Sequence, residues 1–199
     1  MRHNASKTLA LAALLLPFAA SAHTGVDGGV HHGFVTGFLH PLTGADHLAA
    51  MVAVGLWSAL AARRAWPDLL WAPLAFAGML LVGALMGLAG VQLPAVEPMI
   101  AASLLVLGLL VATRIHLPAA VAAVVAGAFA VFHGVAHGHE LAGEQGAALT
   151  LAGMVGATAL LHLAGIACGW ALRHANAWLP RAAGAAVVAL GASLLSQAV

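Results

Sequence analysis

The chain has 199 residues, 63% of them hydrophobic and only 7% charged, where soluble domains carry about 25% charged residues. That deficit excludes an ordinary water-soluble domain and places the chain in a bilayer. A formal net charge of +1 with no basic run argues against a nucleic-acid partner, and the single cysteine, Cys168, excludes an intrachain disulfide or a multi-cysteine zinc or iron–sulfur site. Histidine alone breaks the apolar trend, with 12 copies against 7 Lys+Arg and 6 Asp+Glu.

Residues 1–22 read as a cleaved signal peptide. Arg2 and Lys7 give a positive start, Thr8 to Ala19 an apolar run, and Ala20-Ser21-Ala22 a small-residue cleavage site. The run is short for a span of about 20 residues. Cleavage after Ala22 leaves His23 as the mature N-terminus, with 23–199 a single transmembrane domain. The free amine and imidazole of His23 can chelate a cation; the competing reading is a frayed polar terminus. Residues 24–32 are glycine-rich and polar, with Asp27, His31 and His32.

From Gly33 to about Ala62 runs an apolar stretch of roughly 30 residues, longer than one straight span requires. Pro41 removes a backbone donor and Gly44 adds flexibility, so a first helix broken near Pro41 is expected. It is either one tilted helix or a short helix followed by a full span from about Gly44. Further spans are expected over about 69–90, 97–113, 119–136, 147–172 and from 182 to the C-terminus, which makes the fold an all-α membrane protein, a six-transmembrane-helix bundle.

Loop charges orient that bundle. With His23 outside, the inner loops are 63–68, 114–118 and 173–181, and they hold Arg63, Arg64, Arg114, Arg173 and Arg181, every lysine or arginine left after cleavage. This satisfies the positive-inside bias and puts both mature termini outside the cytoplasm. Pairs such as Gly83 and Gly87, or Gly153 and Gly156, let helix backbones approach closely where lipid supplies no hydrophobic force between helices.

Ionisable groups inside a membrane are costly and mark functional sites. On the first span, His40 and His47 are seven residues apart, about two helical turns, with Asp46 beside His47. On the fourth, His133 and His137 stand four apart on one helix face and Glu140 continues the stripe. That spacing lets two imidazoles reach one metal ion. His162 lies deep in the fifth span, where the alternative to a cation relay is a helix–helix hydrogen bond. His116 and His174 fall near inner helix ends beside arginines and read as interfacial; Glu97 at a helix start reads as an N-terminal dipole partner. Imidazole with carboxylate and no thiolate suits nickel, zinc, cobalt or copper(II) better than calcium or magnesium. A proton relay and a bis-histidine haem protein remain open beside the metal reading. No His-Glu-x-x-His zinc-hydrolase pattern is present, since Leu141-Ala142-Gly143 follows His139-Glu140, so no enzymatic activity is expected.

Two stretches carry a family resemblance: His40-Pro41-x-x-Gly44-x-Asp46-His47, and Phe132-His133-Gly134-x-Ala136-His137-Gly138-x-Glu140. Here the chain resembles the HupE/UreJ family, membrane accessory proteins of hydrogenase and urease operons, and the six-span layout and a signal peptide ending before His23 fit the same pattern. The resemblance implies a secondary permease taking up Ni²⁺, with Co²⁺ as the alternative cargo, no prosthetic group, and hydrogenase or urease maturation proteins as partners. It carries metal-associated positions to His40, Asp46 and His47, and to His133, His137, Glu140 and His23. On this reading His162 is a later relay towards the cytoplasm. The rival is a non-transporting membrane protein that buffers metal or delivers it to enzyme assembly.

Overall fold

The computed structural model describes residues 33–63, 68–174 and 176–198. The targeting segment 1–22, His23, His31, His32 and Arg64 therefore lie outside the described residues. All regular structure among the described residues is helical: α1 (Phe34–Thr43), α2 (Ala45–Ala61), α3 (Trp71–Leu88), α4 (Val96–Thr113), α5 (Ala119–Glu140), α6 (Ala147–Leu172) and α7 (Trp178–Ala198). Helices α3 to α7 are each long and apolar enough to cross a membrane, and α1 with α2 forms a sixth, broken span bent by 83°. The chain is a multi-pass membrane protein.

The break separates a short helix from a 17-residue one, and the two qualify as a membrane span only together. It falls at Gly44, not at Pro41, which lies buried inside α1. A proline in a helix costs one hydrogen bond and crowds the preceding turn. Here α1 runs only two residues beyond it, so the disruption is spent at a helix end. Gly44 has φ −80° and ψ 117°, an extended conformation open to any residue, so a left-handed backbone does not explain the glycine. It serves both helices: its N–H donates to His40 O at 3.2 Å and its carbonyl accepts from Leu48 N at 2.9 Å. His40 O accepts a second bond, from Thr43 Oγ1 at 2.9 Å.

Two other boundaries differ from expectation. Helix α5 continues past Ala136 to Glu140, so His137, His139 and Glu140 stand on a helix and not in a loop. Helix α7 begins at Trp178, which brings Arg181 into its first turn, its guanidinium 5.3 Å from the Trp178 ring centre.

The helices pack as α3 against α5, α4 against α7, and α1 with α2 against α6. Helix α2 forms the central post, with Met51, Ala53, Val54 and Ala59 fully buried. Outward faces carry Leu74, Val124, Leu149 and Leu163, exposed as lipid-facing residues are. At one end, Trp57 Nε1 donates to Ile115 O at 2.9 Å, His116 Nδ1 to Ala61 O at 3.1 Å, and Arg173 Nη2 to Ala62 O at 2.5 Å. These bonds gather the ends of α2, α4 and α6 with Arg63, Arg114 and Arg173 on one side of the bundle, as the loop charges require. At the opposite end, Gly33 N donates to Thr150 Oγ1 at 3.3 Å and His139 Nε2 to Val91 O at 2.9 Å.

Candidate metal centre

The first half of the centre is built at the α1–α2 break. Asp46 sits in the first turn of α2, where the positive end of the helix dipole favours a carboxylate, and its Oδ1 accepts from His47 Nδ1 at 2.8 Å. Gly44 leaves room for this pair: a Cβ there would lie 3.1 Å from both Asp46 Oδ1 and His47 Nδ1. His40, on the last turn of α1, comes back over His47, the two rings 5.9 Å apart at their centres. A shared helical stripe does not produce this approach, because the helix is bent between them.

The second half comes from α5. His133 and His137 lie one turn apart with Gly134 and Gly138 beside them. Those glycines face α3 at backbone contact: a Cβ on Gly134 would fall 2.1 Å from Leu80 O, and one on Gly138 2.2 Å from Ala84 O. The histidine–glycine alternation thus presses one face of α5 against α3 and leaves the adjoining face to carry imidazoles. His137 Nδ1 donates to Glu140 Oε2 at 3.2 Å, and Ser103 of α4 lies against His133 Nε2 at 3.1 Å.

The two halves meet. Ring centres lie 4.9 Å apart for His40 and His137, 4.5 Å for His47 and His137, and 5.2 Å for His47 and His133. His40 Nε2 is 3.8 Å from Glu140 Oε2, and His40, His137 and Glu140 present ligand atoms all within 4.8 Å of one another. Deeper in, His47 Nε2, His133 Nδ1 and His137 Nε2 are buried with no protein hydrogen-bond partner. Carboxylates only accept, so Asp46 and Glu140 fix the Nδ1 protons of His47 and His137, and in the neutral form of each ring Nε2 carries the lone pair. An unsatisfied buried polar atom costs about 1–3 kcal/mol. Three in one cluster, each on a ring held from behind, is an arrangement able to hold a cation, with the outer partners orienting the rings.

His162 stands apart. It is buried, its Nε2 has no partner, and it shares a neighbour with the cluster in the ring of Phe76, whose centre is 5.4 Å from that of His162 and 5.6 Å from that of His133. His139 bonds Val91 O and stays outside the cluster. Sequence reading missed three contributors. Glu97 joins His40, Asp46, His47 and Glu140 in lining a vestibule of about 270 Å³, beyond the dipole role its helix-start position suggests. Ser103 and Phe76 are single residues in apolar helices without any motif. The cost of a buried hydroxyl singles out Ser103 only once the structure shows that it is buried.

Fold and site together define a polytopic helical membrane protein with an intramembrane histidine–carboxylate cluster. The family model described as HupE / UreJ protein matches residues 11–194. The chain is similar to "Protein HupE" of Rhizobium leguminosarum bv. viciae, 42% identical over 191 residues that cover 94% of this chain and 96% of the relative. It belongs to the HupE/UreJ family. No solved structure matches it.

Proposed function

We propose that this protein is a secondary permease that takes up Ni²⁺, with Co²⁺ as the alternative cargo, across the bacterial inner membrane to supply hydrogenase or urease maturation. Three buried, partnerless imidazole nitrogens backed by two carboxylates at the break of a membrane span carry the reading. Neutral imidazole nitrogens suit a borderline divalent metal, and membership of the HupE/UreJ family supports nickel handling. After signal-peptide removal, His23 would stand outside with the vestibule. Carboxylates of Glu97, Glu140 and Asp46 concentrate cations there, and His40, His137 and Glu140 receive the ion first. His47 and His133 take it next by exchange of ligands, since conduction needs release as well as capture. Passage to His162 runs past the Phe76 ring, the neighbour it shares with His133.

His47→Ala and Asp46→Asn should each abolish accumulation of radiolabelled nickel while membrane protein levels stay normal. Wild-type uptake in either variant would refute the assignment. Purified protein in sealed liposomes separates transport from the alternative of a non-transporting accessory protein, which would show saturable binding without lumenal accumulation.

A further inference from the structure

Ser103 lies mid-helix in α4, fully buried and outside both histidine motifs. Its Oγ is 2.6 Å from Ile100 O and 3.1 Å from His133 Nε2. A hydroxyl has one proton. A backbone carbonyl can only accept, and the shorter contact claims that proton, so the serine offers His133 a lone pair. Nε2 of His133 must then carry the ring proton and donate. In a neutral imidazole the other nitrogen is the acceptor, and Nδ1 of His133 is buried with no protein partner.

We infer that Ser103 is a positioning residue that holds His133 in its Nε2–H tautomer and presents the Nδ1 lone pair to the cation. The inference rests on reading the cluster as a metal centre. It makes the three deep imidazoles unequal: His47 and His137, backed by carboxylates at Nδ1, bind through Nε2, and His133, backed by a neutral hydroxyl at Nε2, binds through Nδ1. A carboxylate partner raises the basicity of the ring it backs, and a serine oxygen does so less. His133 is therefore the weakest donor of the three, as suits a ligand that must release the ion to the next site.

Full-length protein with ¹⁵N-histidine, in lipid nanodiscs and without metal, tests the tautomer directly; His133 is assigned by its loss in His133→Gln. The expected spectrum has a protonated-type resonance at Nε2 and an unprotonated-type resonance at Nδ1. In Ser103→Ala these should move towards each other as the two tautomers mix. Calorimetric nickel affinity in Ser103→Ala should fall about 10–100-fold, as loss of such outer partners does elsewhere. A proton on Nδ1 in the wild-type protein overturns the proposal without reference to any variant, as does a His133 spectrum unchanged in Ser103→Ala. Wild-type protein that shows the Nε2–H tautomer and binds no nickel keeps the serine's role and overturns the metal-centre reading.

Discussion

Replacing Gly134 by alanine tests how the centre is held. The added Cβ would stand 2.1 Å from Leu80 O, 2.8 Å from Ala84 N and 2.9 Å from Gly83 Cα, all backbone atoms that cannot rotate away. Ordinary contact is about 3.5 Å, so relieving the 2.1 Å approach to Leu80 O requires α5 to draw back from α3 by roughly 1.4 Å. Overpacking of this kind costs about 1–3 kcal/mol, and the gain of about 1 kcal/mol from replacing a helical glycine offsets part of it. The net change in stability is therefore modest. The effect on function is not, because a binding constellation tolerates only about 0.5 Å of displacement. His133, one residue away, would lose its 3.1 Å contact with Ser103 and its register with His47. Nickel affinity by calorimetry should drop at least about tenfold, a difference of 1.4 kcal/mol, with uptake falling alongside. Gly78→Ala is the matched control on the facing helix: a Cβ there meets nothing within 4 Å. It should raise the melting temperature and leave uptake intact. If Gly134→Ala behaved like Gly78→Ala in both melting and nickel binding, the close-approach argument would be wrong.

Two further outcomes are expected. Trp57→Phe removes the 2.9 Å bond to Ile115 O while keeping an aromatic ring at the arginine-bearing end; thermal melting should show a loss of about 1 kcal/mol, with nickel uptake unchanged. His162→Leu fills similar volume without a ligand, so calorimetry should find nickel binding at the outer cluster intact while liposome uptake slows at least about tenfold; equal loss of binding and uptake would place His162 in the cluster instead.

Much of the site was legible because its residues are close in sequence. The four-residue spacing of His133 and His137 puts them on one face of any α-helix, and Asp46 next to His47 makes their hydrogen bond a local event. The Gly44 break was half legible. Two helix-disrupting residues announced it, and proline looked the stronger, yet the bend settled where Asp46 and His47 need the space a missing Cβ provides. Ser103 and Phe76 were illegible, since one hydroxyl or one ring in an apolar helix resembles packing until the opposite helix is known. Glu97 misled for a similar reason: a carboxylate at a helix start satisfies the helix dipole and lines the vestibule at once.

Sequence alone determined the solvent and the number of crossings. The cost of charge in lipid and the length of apolar runs act along the chain and need no partner. It also marked two short stretches as the source of the candidate ligands. Only the tertiary structure decided that His40 meets His137 and Glu140, that His47 meets His133, and that His139 is left out. In this bundle nearly every helix face is apolar, so hydrophobic periodicity cannot say which faces touch. Backbone contact at Gly83, Gly134 and Gly138 decides it, and that fit exists only between helices.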